Sequence, residues 1–430
     1  MNSITLGLSL LTLLVFLMLI GSRVSYAVIF VSTLGVFLLK GWTPTSTFIG
    51  GLSISEVGNY TYSALPLFIL MGYFTYYAGI ADDLFHATKI WVRHINGGLP
   101  TATILASAGF ATVSGASTAA TSVIGKISIP QMLDAGVKPS LAAGVVAMGG
   151  CLAALIPPST VMVVYGILTE QSISKMLLAG IIPGILTVTV YIIYIYTISR
   201  LDNSKAGVRE QPSTWRERFS SLKLTLPIIS LFLLVIGGIY LGVFTPTEAS
   251  GIGAFGALSI AIALRRMSWE KLKLALSDTV KTTCMIFFIM VGISIFSRFL
   301  SLAGINQLIN GYILGIDASP IFIVIVMLFI YLILGMFMDA VSMMMLTLPI
   351  FFPIINSLGL DPIWYGILVI KMAEIGLVSP PVGLNCFIVK GVTTRIPIAE
   401  IFKGVMPFIA LEIITVIILL IFPSIVTIIL

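Results

Sequence analysis

Two short polar interruptions in apolar sequence carry the oxygen atoms best suited to hold a small hard cation. The first, in ASAGFATVSGASTAATSVIG, is Ser114–Gly115–Ala116–Ser117–Thr118. A segment with a Gly-rich polar centre and a nearby proline, Pro130, does not make one regular spanning helix. Its natural form is a re-entrant helical hairpin with the polar residues at the tip. The second, in GCLAALIPPSTVMVVYG, is Pro157–Pro158–Ser159. Consecutive prolines remove two N–H donors and free the preceding carbonyls. At membrane depth, freed carbonyls and hydroxyls are costly unless something binds them, and Na⁺, which favours oxygen ligands, suits them.

Both devices recur in the second half. GMFMDAVSMMMLTLP places Asp339 and Ser342 at the position of a hairpin tip, and GLVSPPVGLN breaks at Ser379–Pro380–Pro381, with Gly383 and Asn385 following. The recurrence is in register: Pro130, Pro139, Pro157 and Pro158 reappear as Pro353, Pro362, Pro380 and Pro381, each displaced by 223. With proline at about 5% of positions, a given offset aligns all four by chance only a few times in a million. Gly180 and Pro183 in AGIIPG align likewise with Gly404 and Pro407 in KGVMPF after a shift of one. Internal repeats of this kind place substrate and ion sites at the repeat interface, where helices are broken.

The elements that position these residues are membrane helices. Of 430 residues 58% are hydrophobic and 9% charged, too few charges to coat a soluble domain, which carries about 25%. Apolar runs long enough to span recur along the chain, at Ile4–Ile20, Val24–Leu39, Ala64–Ala81, Met176–Ile198, Leu222–Val243, Ile321–Phe337 and Ile398–Leu430. About 20 apolar residues cross the hydrocarbon core. Met1–Ile20 lacks a basic n-region and a small-x-small cleavage site, so it reads as a first span, not a signal peptide.

The net charge of +6 sits in the short connections, the positive-inside pattern, and gives no reason to expect nucleic acid. Anchoring the basic segment Arg200–Lys223 in the cytoplasm puts Arg23, Lys89, Arg93, Lys126 and Lys138 inside on one flank. On the other it puts Arg265, Arg266, Lys271, Lys273, Lys281, Lys390, Arg395 and Lys403 inside, leaving Lys40 and Lys175 outside. Both termini then face the periplasm, and the two repeats enter the membrane from opposite sides. The expected organisation is a first inverted repeat over 1–199, with an interfacial arm helix 81–95, a hairpin 98–128 and a broken helix 138–168. A cytoplasmic basic linker 200–223 follows. The second repeat, 224–430, holds an arm helix 267–281, a hairpin 319–355 and a broken helix 360–394.

Ionisable residues inside spans are functional candidates, because each costs at least about 2.5–3.5 kcal/mol at a helix centre. Asp339 has two compatible roles, cation ligand and helix N-cap. Arg298 either meets a substrate carboxylate with a bidentate fork or snorkels to the periplasmic interface. Lys371 and Glu374, three apart on one turn, are placed to neutralise each other. Glu248 follows a proline at a span start and reads as a first-turn residue. Cys151, Cys284 and Cys386 lie in apolar stretches and read as small core residues, not disulfides. His86 and His94 read as interfacial side chains and lack the clustering of a transition-metal site. The sequence has no GxxxxGK[ST] loop for ATP, and no HExxH, GxSG-with-His or paired intramembrane Asp for an enzyme. A channel or a scaffold subunit without ion coupling is the alternative, against which the duplicated breaks argue.

Together FATVSGASTAA, GCLAALIPPSTVMVVYG, AGIIPG, FTPTEASGIGA, LGMFMDAVS and GLVSPPVGLN resemble the large membrane subunit of tripartite ATP-independent periplasmic (TRAP) transporters, the DctM-like family, over essentially the whole chain. The resemblance implies an all-α polytopic inner-membrane protein of elevator type, importing an organic anion with Na⁺ as coupling ion and no organic cofactor. It implies two partners on other polypeptides, a periplasmic substrate-binding protein and a small four-helix (DctQ-like) membrane subunit. The family's sodium-site regions fall on Ser114, Gly115, Ser117, Thr118, Pro157 and Ser159, and on Asp339, Ser342, Ser379, Gly383 and Asn385. Substrate contacts are expected from Ser117, Asp339, Ser342 and Arg298. The tip reads SGAST where many members have SGSSxA, so Ala116 stands where they carry a hydroxyl.

Overall fold

The computed structural model describes residues 2–22, 24–202, 207, 211–315 and 318–430; Arg23, Lys205 and Arg209 of the charge map lie outside them. Four helices lead in, α1 (Ser3–Leu19), α2 (Val24–Lys40), α3 (Trp42–Val57) and α4 (Ala64–Tyr77). The first repeat continues with α5 (Ile80–Val92), the hairpin α6 (Gly98–Ser114) and α7 (Ser117–Asp134), the broken pair α8 (Pro139–Leu155) and α9 (Thr160–Leu168), then α10 (Ile173–Ala179) and α11 (Ile181–Leu201). After the linker, α12 (Trp215–Phe232) passes through a π-helical turn into α13 (Gly238–Tyr240), followed by α14 (Pro246–Ala263), α15 (Trp269–Ala303) and α16 (Ile305–Gly315). The second hairpin is α17 (Pro320–Gly335) and α18 (Ala340–Ser357), and the second broken pair is α19 (Pro362–Val378) and α20 (Leu384–Val392). The chain closes with α21 (Ile398–Ile421) and α22 (Ser424–Thr427). Among the described residues there is no strand, and five stretches are long and apolar enough to cross a bilayer.

The repeat is visible in the helix ends. Both ends of α18 lie 223 residues after those of α7, both ends of α19 lie 223 after those of α8, and α20 follows α9 by 224. The breaks have local causes. Gly115, at φ +59°, ends α6, and extended Ala116 starts α7. The peptide bonds Pro157–Pro158 and Pro380–Pro381 are cis, and the α8–α9 axis turns by 41° across the first of them. Gly383, at φ +62°, opens α20.

The second arm differs from expectation. Met267–Lys281 is no separate interfacial helix but the start of α15, a continuous helix of 35 residues capped by Ser268. Polarity changes near Lys281, yet no proline interrupts the segment and its one internal glycine lies further on, at Gly292, so nothing there stops helix propagation. The first arm, α5, is pinned at several points. Arg266 makes a two-pronged ion pair with Asp83, its Nη2 donating to Oδ1 at 3.1 Å. Arg93 pairs with Glu217 at 3.3 Å, and the Ser213 hydroxyl donates to the Ile90 carbonyl at 2.7 Å.

Two clusters form the core. One joins α1 and α2 to the distal half of α15 through Leu14, Val31, Phe296 and Phe299; the other unites both repeats. Bilayer helices associate through close packing of small residues, since lipid is as apolar as leucine. Here α8 and α21 cross with Gly144 and Gly404 backbone to backbone, and α17 meets α19 at Gly335 and Gly376. A Cβ at Gly404 would strike the Ser140 carbonyl.

Candidate functional site

A cavity of about 520 Å³ lies where the two hairpin tips meet α4 and α15. One wall is the first tip, Ser114 to Ala119, with Thr160 from the start of α9. The second tip contributes Asp339, Ala340 and Val341, and α19 contributes Glu374 and Leu377. The opposite wall is Tyr73, Tyr76 and Tyr77 of α4 with Asp278 and Thr282 of α15. That wall is cross-linked: the Tyr77 hydroxyl donates to Asp278 Oδ2 at 2.6 Å, and the Tyr73 and Thr282 hydroxyls lie 3.0 Å apart.

The first tip is seated by backbone. Thr160 N–H donates to the Gly115 carbonyl at 3.2 Å, joining tip to broken helix. A Cβ on Gly115 would meet Pro158 O at 3.0 Å, and one on Gly72 of α4 would meet Ser114 O at 2.9 Å. Both glycines are thus required by close approach. Ser114 and Ser117 are buried, line the cavity, and their hydroxyls have no hydrogen-bond partner. Thr118 lines it also. Ser159 is buried behind the tip, donating to Ala154 O at 2.6 Å and accepting from Met162 N–H, so it caps α9; Pro157 is part of the same break.

At the second tip Asp339 caps α18, one of its two expected roles, and lines the cavity. Its Oδ2 accepts from Ser342 N–H at 3.1 Å and its Oδ1 from the Ser342 hydroxyl at 2.6 Å. Ser342 is turned toward Asp339 and is not among the lining residues. Ser379 donates to Ile375 O at 2.7 Å, and Gly383 opens α20. Asn385 is fully buried, its Nδ2 donating to Cys151 Sγ at 3.4 Å while Oδ1 is unpartnered.

Three charged side chains sit differently from expectation. Arg298 is not in this cavity; it lines another, with its guanidinium 4.8 Å from the Phe48 ring centre. Lys371 and Glu374 do not pair. The helical turn that separates them points Lys371 at α21, where it forms a buried ion pair with Glu412 and donates to Thr187 Oγ1 at 2.7 Å. Glu412 is completed by the Tyr191 hydroxyl and by Thr415, whose hydroxyl lies 3.2 Å from Oε2. Glu374 faces the cavity beside the Ser117 hydroxyl, with no hydrogen bond as short as 3.5 Å to either carboxylate oxygen. It is the repeat equivalent of Cys151, and the two meet, the Cys151 thiol donating to the Glu374 carbonyl at 3.7 Å. Glu412 lies alone in an apolar run, and its charge was the signal available in the sequence. Nothing in the sequence foretold the α4 tyrosines.

Buried polar atoms are nearly always bonded. The oxygens of Ser114, Ser117 and Glu374, which line one cavity, therefore fit a hard cation chemically, while Asn385 lies outside that lining, and the described residues hold no His/Cys/Asp/Glu cluster for a transition metal.

The family model described as "Tripartite ATP-independent periplasmic transporter, DctM component" matches residues 11–425. The chain belongs to this family. A relative, the C4-dicarboxylate TRAP transporter large permease protein DctM of Pseudomonas aeruginosa, is 35% identical over 368 residues, covering 85% of each chain. The sialic acid TRAP transporter large permease protein SiaM of Vibrio cholerae is 29% identical over 406 residues, covering 94% of this chain and 93% of its own. Among solved structures, the YdaH transporter of Alcanivorax borkumensis superposes with a TM-score of 0.56 over 86% of this chain and 87% of its own, at 15% identity. That likeness concerns the fold alone. As a DctM-family permease, the chain is a multi-pass membrane transport subunit.

Proposed function

We propose that this permease imports an organic anion by Na⁺ symport with elevator-type alternating access. The cargo is a carboxylate, either a C4-dicarboxylate or a sugar acid; the two relatives are named for one of each. One observation carries the reading. One cavity is walled on one side by the duplicated hairpin tips and on the other by α4 and α15, so the hairpins could carry its contents past the α4–α15 wall. In this mechanism the hairpins move with α8–α11 and α19–α21 against α1–α4 and α12–α16. Na⁺ would be held at the first tip by Ser114, Gly115, Ser117 and Thr118 with the Pro157–Ser159 break. A second ion would be held by the Asp339–Ser342 tip with Ser379, Gly383 and Asn385. Unpartnered hydroxyls at Ser114 and Ser117 support the first site. Cargo would arrive on a periplasmic binding protein, and a small four-helix membrane subunit would complete the transporter in the inner membrane, with both termini periplasmic.

The test is uptake into proteoliposomes containing this chain, its small partner and a loaded binding protein, with succinate and N-acetylneuraminate as cargoes. Uptake should require an inward Na⁺ gradient, and Ser117→Ala should raise the Na⁺ concentration needed. Uptake unchanged when choline replaces Na⁺ would sink the coupling and favour a channel or scaffold role.

A further inference from the structure

The cavity that Arg298 lines has a volume of about 610 Å³ and shares no described lining residue with the cavity at the hairpin tips. It lies between α3 and α15 on one side and α9, the turn after it and α18 on the other. Its α15 residues Ser294, Ser297, Arg298 and Ser301 follow at i, i+3, i+4 and i+7, so they share one helix face. Arg298 stands five residues before Ala303, the last of α15, which is about 8 Å at 1.5 Å per residue. The helix itself is long and apolar enough to cross a bilayer. A long cationic side chain near the end of such a helix lays its stem on apolar neighbours and its head among lipid headgroups.

The described lining holds one cation and one anion. Arg298 has its guanidinium over the Phe48 ring, and the exposed Glu170 follows α9 on a left-handed backbone at φ +55°. Among the described residues neither side chain makes an ion pair or a hydrogen bond. Pro349 and Pro353 of α18 line the same space. Pro353 has no N–H, so the Pro349 carbonyl lacks its i+4 donor and is a further acceptor. Around these groups the wall is apolar, from Phe48, Leu52, Ile167, Leu168, Leu348 and Phe352. A free organic anion would use Arg298, gain nothing from that wall and be repelled by Glu170. The charges instead suit a molecule that carries an anionic and an ammonium group side by side on an apolar body.

We propose that this cavity holds the headgroup of a phosphatidylethanolamine molecule. Arg298 and the α15 serines take the phosphate, Glu170 and the Pro349 carbonyl take the ammonium, and an acyl chain runs along α3 and α18. A guanidinium fork matches phosphate oxygens in geometry as well as charge. A primary ammonium donates N–H to a carboxylate, which the quaternary nitrogen of phosphatidylcholine cannot do, and phosphatidylglycerol brings Glu170 no positive charge. The site is separate from the cargo cavity and does not rest on the transport reading.

The test is native mass spectrometry of the full chain, released from micelles holding equal amounts of the three lipids with identical acyl chains. The parent should retain one phosphatidylethanolamine, preferred over each of the others by about fivefold, the upper range for a partly exposed ion pair. Arg298→Ala should weaken its binding about tenfold, the loss of a charge-assisted hydrogen bond. Glu170→Gln should keep the phosphate contact and bring phosphatidylethanolamine and phosphatidylglycerol to within about twofold of each other. Equal retention of the three lipids by the parent, or a preference that survives both substitutions, overturns the proposal. Displacement of the lipid by millimolar succinate also overturns it and gives the cavity to a free anion. If Arg298→Ala does not fold, Arg298→Gln, which keeps the length and removes the charge, decides together with Glu170→Gln.

Discussion

Replacing Lys371 by methionine isolates the energetics of the most deeply buried ion pair in the described structure. Lys371 is 3% exposed and Glu412 5% exposed, and they join α19 of one repeat to α21, with Thr187 and Tyr191 of α11 completing the network. Lys371→Met leaves the Glu412 carboxylate buried without a counter-charge, which costs about 3–5 kcal/mol. Removing both charges in Lys371→Met/Glu412→Leu cancels that penalty. It leaves the Tyr191 hydroxyl without its acceptor, an unmade buried hydrogen bond worth about 1–3 kcal/mol. Thr187 and Thr415 are spared, because their hydroxyls already donate to Pro183 O at 2.8 Å and Glu412 O at 2.7 Å. Adding Tyr191→Phe removes the remaining orphan and should return stability to within about 1 kcal/mol of the parent. The order of stability is therefore parent and triple variant, then double, then single. Denaturant unfolding of the purified chain in mixed micelles, followed by tryptophan fluorescence, measures it. A double variant as unstable as Lys371→Met, or one no better with Tyr191→Phe added, would show that the penalty is not electrostatic and refute the account.

Two further outcomes follow from the placement of single residues. Arg298→Ala should leave the half-saturating cargo concentration within about twofold of the parent in the uptake assay, as expected for a residue that shares no partner with the site; a tenfold loss would put Arg298 in the cargo path. Gly115→Ala forces a side chain onto a left-handed backbone, costing about 1–2 kcal/mol, and drives it against Pro158 O. It should lower both melting temperature and Na⁺-dependent uptake, and if both are normal the tip is not seated on the break as described.

Proline spacing made the architecture legible, because proline and glycine act on the backbone within a residue or two of where they stand. The helix starts at 139 and 362 stand on Pro139 and Pro362 themselves. Three things were not legible. The partner of Lys371 is 41 residues away on another helix, and spacing along one helix cannot choose between Glu374 and Glu412. The polarity step near Lys281 looked like the end of an element, but amphipathicity reports the solvent and not the continuity of hydrogen bonding, so α15 runs through it. The position of Arg298 depends on which face of α15 meets α2 and α3, which is settled by packing such as Phe299 against Gly35 of α2. The Asp339 cap was read correctly because its partner is only three residues on.

The contact between Cys151 and Glu374 has a consequence for how such a chain can change. Repeat equivalents that touch lie on the axis relating the two halves, where each position is its own counterpart's neighbour. Away from that axis, one half can acquire a new residue without consulting the other. On it, every substitution alters the surroundings of its twin. A symmetric ancestor would have set like against like there; a thiol facing the backbone of a carboxylate-bearing residue records that the halves have parted. The axis is thus where duplicated halves are most constrained to diverge together, and where a cavity-facing carboxylate stands on one side only.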